Sequence, residues 1–232
     1  MTQQNPFFRP FETSFQMAPF NLIKNAHYLP AIQRGIIEAR TEITEITEHL
    51  DPPTFENTIE ALEASGVLLD RVSQVLFNLN SAETSDEIQK ITQEVSPLLT
   101  SFNNEIKLNK KLFERVKFVY DLNDVLSDEE GMLLEKTYKS FARNGAGLDS
   151  KSQNRYKEIT VALSSLALKF GENVLAETNN YELVLNKKED LAGLPQDLID
   201  RAKSLAVGKQ WPDKWIFTLQ APSFIPFMEN AD

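Results

Sequence analysis

Histidine limits the chemistry open to this chain, which holds only His27 and His49. A zinc peptidase helix needs two imidazoles four positions apart with a glutamate between them, the HExxH pattern, so that both rings reach one ion and the carboxylate activates its water. The two histidines lie too far apart for that pattern, and the chain has no cysteine to supply thiolate ligands. We therefore predict structural roles, with His49 as a cation near a helix C-terminus and His27 at an interface.

Serine and glycine motifs are equally uninformative about catalysis. The sequence has no G-x-S-x-G pattern, and a triad would depend on one of the two histidines as its base. Residues 145–150 (GAGLDS) begin like a dinucleotide-binding fingerprint, but the third glycine is missing and the segment follows a predicted helix rather than a strand. We interpret Gly145 and Gly147 as a helix stop and turn.

Acidic and aromatic clusters also favour structural interpretations. The two acidic groups are predicted to face solvent or to lie at a helix start, where the helix dipole favours negative charge. They are Glu42, Glu45 and Glu48 in the first helix and Asp128, Glu129 and Glu130 in a later one. An aromatic cluster near the end of the chain could line a ligand site, but the core of a small β region is the favoured interpretation. Its members are Trp211, Trp215, Phe217, Phe224 and Phe227.

Charge and composition exclude several classes of partner. The chain has 232 residues with a formal net charge of −10, and its acidic residues are spread along the sequence. Such a surface repels phosphate, and pairs such as Lys110–Lys111 are too short to form a basic stripe, so we expect no nucleic-acid partner. The N-terminal stretch lacks a basic start followed by an apolar run. We expect a cytoplasmic protein with no membrane association.

Apolar residues recur at steps of three and four along most of the chain, which predicts amphipathic helices. The first helix begins near Tyr28 and stops at residues 51–53 (DPP), because proline cannot continue the hydrogen-bond ladder. Pro97 should bend or divide the third helix. The predicted helix caps are Thr54, the pair Thr84 with Glu87, and the pair Ser127 with Glu130.

The longest apolar stripe begins after Ser150, and we expect a neighbouring helix to cover it, as in antiparallel helix hairpins. Its members are Tyr156, Ile159, Leu163, Leu166, Phe170 and Val174. Further on, residues 181–185 (YELVL) and 215–219 (WIFTL) are β-prone and should pair, with a short helix between them. Residues 221–232 show no closing element, and we expect Phe224, Ile225 and Phe227 to be exposed.

The predicted fold is mainly α, an antiparallel helical bundle lobe with a small β-hairpin near the C-terminus. The predicted organisation is an extended arm over residues 1–24, a helical bundle over residues 25–180 and a small α+β segment over residues 181–232. The last segment is expected to be truncated at its C-terminal end, because a two-stranded sheet is marginal on its own.

Seven phrases, in order along the chain, resemble the amino-terminal region of thimet-oligopeptidase-like zinc metallopeptidases, in the peptidyl-dipeptidase and oligopeptidase A branch. The most specific is residues 53–63 (PTFENTIEALE), preceded by residues 19–31 (PFNLIKNAHYLPA). The later phrases are residues 141–148 (FARNGAGL), 170–179 (FGENVLAETN), 191–195 (LAGLP), 215–219 (WIFTL) and 222–227 (PSFIPF).

The resemblance implies a longer, mostly helical enzyme with two lobes around a deep channel that admits short unfolded peptides. The family's HExxH helix and third zinc ligand, a glutamate, would lie in a following catalytic region, so zinc belongs to the parent and no catalytic, cofactor-binding or metal-binding residue can be carried over to this chain. Whether the parent releases dipeptides from a free C-terminus or cleaves internally stays open. The alternative is a self-standing helical protein-interaction module without enzymatic activity.

Overall fold

A computed structural model describes residues 5–122 and 124–232 and shows a mainly helical protein with a two-stranded antiparallel sheet near the C-terminus. This confirms the predicted fold class. The chain divides into two compact units, one that ends at Ser165 and one that covers Leu166–Asp232. The division falls within a long helix, and the predicted boundary at residues 180 and 181 stays a prediction, as does the arm over residues 1–24, whose first four residues lie outside the described part.

The helices follow the apolar periodicity closely. In chain order they are α1 (Tyr28–Thr47), α2 (Ala61–Glu63), α3 (Val67–Ala82), α4 (Asp86–Lys107), α5 (Lys110–Leu122), α6 (Asp128–Arg143), α7 (Ser150–Asn180), α8 (Gln196–Gly208) and α9 (Ala221–Asn230). The strands are β1 (Glu182–Leu185) and β2 (Trp215–Thr218).

The predicted second helix is broken into pieces. Thr54 is its cap, as predicted, because the hydroxyl accepts a hydrogen bond from the Asn57 N–H at 3.2 Å. A π-helical turn, Phe55–Glu60, then runs into α2, and Gly66 with φ of +77° separates α2 from α3. The prediction of a single continuous helix was therefore wrong, since glycine allows the left-handed backbone that turns the chain at position 66.

One detail of α4 also differs from the sequence prediction. Its cap is Ser85 rather than Thr84, since the Ser85 hydroxyl accepts from the Ile88 N–H at 3.3 Å. The helix is not divided at Pro97, and the other predicted outcome, a bend there, stays a prediction. Proline removes one donor from the ladder, which a long helix packed on its neighbours can tolerate.

The first hydrophobic core lies among α1, α3 and α4. Its largest fully buried side chains include Tyr28 and Ile32 of α1, Leu76 of α3, and Phe7 from the N-terminal turn Pro6–Phe8. The Phe7 ring lies 5.4 Å from the Tyr28 ring. The N-terminal segment thus contributes a side chain to the core. A second short 3-10 turn, Ser14–Gln16, follows in the same segment.

A second core joins the C-terminal half of α1 to α5 and α6. Ile43 and Ile46 of α1 meet Val116 of α5 and Phe141 of α6 in this cluster. The cluster also includes Ile59 from the π-helical turn. The capping box predicted at Ser127 and Glu130 is present at the start of α6.

In the second unit, α8 and α9 pack on the sheet. Strands β1 and β2 pair in antiparallel register with Leu183 opposite Phe217, as predicted, but α8 lies in the connection, so the pair is not a tight-turn hairpin. The prediction that residues 221–232 contain no closing element was wrong, because residues 221–230 form α9. Its prolines disguised it: Pro222 lies in the first turn, where no N–H is needed, and Pro226 follows within the helix.

Candidate functional site

The two histidines lie at opposite ends of α1, a helix of 20 residues that is about 30 Å long. The His27 Nδ1 accepts a hydrogen bond from the Lys24 N–H at 3.0 Å. The His49 Nδ1 accepts one from the Asp51 N–H at 3.2 Å, in the turn after the helix. Each ring accepts a hydrogen bond from a nearby backbone N–H. Because the rings lie at opposite ends of the helix, they cannot bind the same metal ion.

His49 lies in the turn after α1, close to the C-terminus of that helix, as predicted, and its predicted charge stays a prediction. Its Nδ1 is joined to the Asp51 N–H and so helps to order the chain after α1. Its backbone carbonyl is held as well, by the Arg115 guanidinium at 3.2 Å.

A cleft of about 390 Å³ opens beside His49. It is lined by Glu42, Glu45, Ile46, His49, Asn57, Ala61, Ala64 and Ser65. Its polar groups are largely engaged in structure, since the Asn57 side chain accepts from Arg115 and from the Thr54 N–H. Within residues 5–122 and 124–232, no group of three His, Cys, Asp or Glu side chains is placed to hold a metal ion.

Glu42 has a structural task that the sequence pattern did not show. Its carboxylate accepts a hydrogen bond from the Gly66 N–H at 2.7 Å, at the N-terminus of α3. The prediction of a fully solvated acidic face was therefore wrong for Glu42, because the fold brings an unpaired helix-end donor to it. Glu48 conforms better to the prediction, since it is exposed and lies 3.6 Å from the Lys111 ammonium.

The second acidic group and the glycine pair behave as predicted. Glu130 accepts from the Ser127 N–H at 2.8 Å, and this hydrogen bond lowers the pKa of the Glu130 carboxyl. Gly145 has φ of +91° and follows the end of α6, so the glycine pair forms a helix stop. The Ala146 N–H donates back to the Phe141 carbonyl at 3.2 Å, which satisfies an acceptor at the helix end.

Three of the five clustered aromatic side chains belong to the core of the second unit. Trp215 and Phe217 are buried, and the Phe227 ring packs at 4.8 Å from Phe217. Trp211 and Phe224 are instead exposed. The cleft beside Phe217 and Phe224 has a volume of about 80 Å³. Small-molecule sites are typically about 300–1,000 Å³, so this cleft is too small to be one.

The largest departure from expectation is the outer face of α7. Ile159, Leu163, Leu166, Phe170 and Val174, here called the α7 stripe, were predicted to be covered by a neighbouring helix. They are 43%, 59%, 63%, 71% and 49% exposed, and none of the 31 residues of α7 is buried. The sixth member of the predicted stripe, Tyr156, is half-buried.

The N-terminal half of α7, which belongs to the first unit, makes polar contacts beside the stripe. The Tyr156 hydroxyl donates to the Asn144 side chain at 2.9 Å, and the buried Asn104 amide donates to the Thr160 hydroxyl at 2.8 Å. A signal for this was present in the sequence, because polar residues 153, 156, 160 and 164 share a face with the same helical spacing as the stripe.

Helix α7 is also the one helix in the described part of the chain that is long and apolar enough to cross a membrane by length and composition. This is weak evidence for a membrane span. The hydrogen bonds of Tyr156 and Thr160 to other helices of the first unit are those of a helix packed on protein.

The chain is similar to known peptidases over nearly its whole length. No family model matches the chain. The dipeptidyl carboxypeptidase of Escherichia coli (strain K12) is 33% identical over 237 residues, which cover 100% of this chain and 35% of that protein. The oligopeptidase A of Salmonella typhimurium is 28% identical over 228 residues, 96% of this chain and 33% of that protein.

A probable cytosolic oligopeptidase A of Arabidopsis thaliana is 25% identical over 233 residues, 96% of this chain and 33% of that protein. An organellar oligopeptidase A from the same plant is also similar. The chain thus spans about a third of the length of these relatives. Their names agree with the resemblance carried by the sequence phrases, which is confirmed.

Proposed function

We propose, from the premise that this chain is homologous to an amino-terminal region of thimet-oligopeptidase-like metallopeptidases, that it forms a non-catalytic lobe of a zinc metallopeptidase that hydrolyses short unfolded peptides. The observation that carries the proposal is the match of the whole chain to only about a third of each peptidase. In this proposal the lobe forms one wall of the substrate channel, and a following catalytic region of the same polypeptide supplies the other parts.

The residues of this chain do not fit a zinc site. His27 and His49 lie at opposite ends of α1, and the nitrogen of each that faces the chain accepts a backbone hydrogen bond. We therefore assign zinc to the catalytic region of the parent, and no catalytic, cofactor-binding or metal-binding residue to this chain. Peptide substrates, a cytoplasmic location and the lack of nucleic-acid or membrane partners belong to the same proposal.

The test begins with the reading frame of the gene, which should continue past Asp232 and encode HExxH. The longer polypeptide and the 232-residue chain are then expressed in parallel. Elemental analysis should find one zinc per longer polypeptide and none in the 232-residue chain, because a zinc site needs several correctly placed ligands. A quenched short peptide should be cleaved by the longer polypeptide alone.

Circular dichroism supplies the control that the 232-residue chain is helical, so that inactivity is not a failure to fold. A stop codon directly after Asp232 would contradict the proposal. Cleavage of the peptide by the folded 232-residue chain would contradict the non-catalytic role.

One observation favours a second candidate, a self-standing helical interaction module. The exposed α7 stripe is a surface that such a module would use to bind a partner helix. The two candidates differ in the same experiment, because a module requires neither a longer reading frame nor peptide cleavage.

A further inference from the structure

Helix α7 differs from α1 in where its apolar residues lie. In α1, the apolar residues Ile32 and Ile36 face the core. In α7, the five residues of the stripe are exposed, while Tyr156 and Thr160, on the adjoining part of the helix surface, hydrogen-bond to the side chains of other helices. An amphipathic helix is stable when its apolar face is covered, so a further surface is required to complete this one.

We propose that the α7 stripe is the docking seam for one helix of the polypeptide that follows Asp232 in the longer protein. This inference rests on the proposed function, and it adds the place of contact and the kind of element that makes it. The conclusion that the occupant is a helix comes from the spacing of the stripe, and the conclusion that it is covalently linked comes from its size.

The spacing is that of a coiled-coil seam. The first four residues of the stripe follow one another at steps of four, three and four, which are alternating d and a positions of a heptad. Side chains at these positions insert between those of a single facing helix. Asn173 takes the next d position and Val174 lies beside it, so the apolar seam ends after about two heptads.

The size of the stripe argues against a free partner. From residue 159 to residue 174 the seam is about 22 Å long, and a helix about 10 Å wide would cover about 220 Å² of it. Stable complexes bury about 800 Å² on each partner, and free coiled coils need three or four heptads. A second copy or a separate protein held by this seam alone would dissociate readily.

A linked segment avoids this difficulty, because a flexible link gives an effective concentration in the millimolar range. Room for such a segment exists in the relatives, since the region matched by this chain is 35% of the E. coli dipeptidyl carboxypeptidase. A lipid surface fits less well, because insertion of α7 would take its Tyr156 and Thr160 face away from the protein groups that satisfy it.

The absence of cysteine from the 232-residue chain makes a labelling experiment direct. L166C places a thiol on the stripe, and S165C places one on the adjacent exposed residue, about 100° round the helix. Both variants are made in the 232-residue chain and in the longer polypeptide. The rate of maleimide labelling at each position is followed by peptide mass spectrometry, which separates these thiols from any cysteine elsewhere.

In the 232-residue chain the two thiols should react at similar rates. In the longer polypeptide the thiol at position 166 should react slower by about tenfold or more, because labelling would require the docked helix to open, while position 165 keeps its rate. Circular dichroism of both variants confirms that the helices are intact.

Equal rates at the two positions in a longer polypeptide that cleaves peptide would overturn this inference and leave the proposed function standing. Protection of position 166 in a longer polypeptide that cleaves nothing would support the seam and remove the proposed function. Two results with the isolated 232-residue chain would also overturn the inference. Labelling at position 166 that slows as the protein concentration rises would favour a second copy, and labelling that slows on addition of phosphatidylcholine vesicles would favour a lipid surface.

Discussion

Gly35 of α1 lies directly against the backbone of Leu69 of α3. A Cβ on Gly35 would be 2.9 Å from the Leu69 Cα and 3.0 Å from its amide nitrogen. Both contacts are with backbone, which cannot rotate away as the end of a side chain can. The absence of a side chain at position 35 therefore sets how closely α1 and α3 approach in the first core.

The first prediction follows from this contact. Gly35→Ala should lower the free energy of unfolding by about 1–3 kcal/mol, because the added methyl forces the two helices apart. Gly131→Ala in α6 is the matched control, since nothing lies within 4 Å of its added Cβ. There alanine should raise stability by about 0.5–1 kcal/mol through helix propensity. Urea denaturation measures both, and effects of the same sign would contradict the close approach.

The second prediction concerns which residue caps α4. Ser85→Ala should lower the free energy of unfolding by about 1 kcal/mol, because the Ile88 N–H loses its acceptor. Thr84→Ala should cost less, because the Thr84 hydroxyl bonds to the Asn80 side chain and caps no helix N–H. Thermal unfolding of the two variants decides the point, and a larger loss for Thr84→Ala would restore the pattern-based assignment.

The third prediction is a pH dependence at Lys107. Burial lowers the pKa of this ammonium, which lies 4.7 Å from the centre of the Phe141 ring. The unfolded chain therefore binds the proton of this ammonium more tightly. Because of this group, the free energy of unfolding rises with pH between the lowered folded pKa and the unfolded pKa of about 10.4. Lys107→Met should raise Tm at pH 7, and the gain should shrink as the pH approaches about 10.5.

Lys117→Met is the control for this pH series. The hydrogen bond with Asp121 raises the pKa of the Lys117 ammonium, so its contribution to stability is present at neutral pH and is lost as the pH rises through the folded pKa. This variant should lower Tm at pH 7. Equal Tm shifts for the two variants across the pH series would show that burial of Lys107 carries no penalty.

The fourth prediction concerns the N-terminal segment. The Arg71 guanidinium of α3 donates to the Arg9 carbonyl at 3.0 Å and to the Phe7 carbonyl at 3.4 Å. Arg71→Ala should loosen this segment and speed chymotryptic cleavage after Phe8 by several-fold, since cleavage follows local opening. Arg155→Ala is the control, because Arg155 pairs with Glu158 on its own helix. An unchanged cleavage rate in Arg71→Ala would show that the Phe7 side chain alone holds the segment.

Much of the fold could be predicted from the sequence, because the relevant forces act over short distances along the chain. The periodicity of Ile32 and Ile36 determines a helix face whatever that face packs against. The hydroxyls of Thr54 and Ser127 cap helices three residues away, within the reach of a single turn. The alternation in the two β-prone runs likewise sufficed to predict their pairing.

Errors arose where two local signals competed. Thr84 and Ser85 are adjacent hydroxyl residues, and only the final backbone path decides which one meets the Ile88 N–H. Gly66 stands within an apolar pattern that reads as one helix, yet its positive φ breaks that helix. Pro222 and Pro226 concealed α9, since proline is compatible with a first turn but is otherwise read as a helix breaker.

By itself the sequence determined the helical class, most helix boundaries and the family resemblance, because these depend on residue type and spacing. Only the tertiary structure decided where each helix face points. It showed that Glu42 reaches the Gly66 N–H and that the α7 stripe faces outward. Periodicity states that a helix has an apolar face, but the direction of that face is a property of the packed whole, in which Asn104 and Asn144 hold α7 by its polar side.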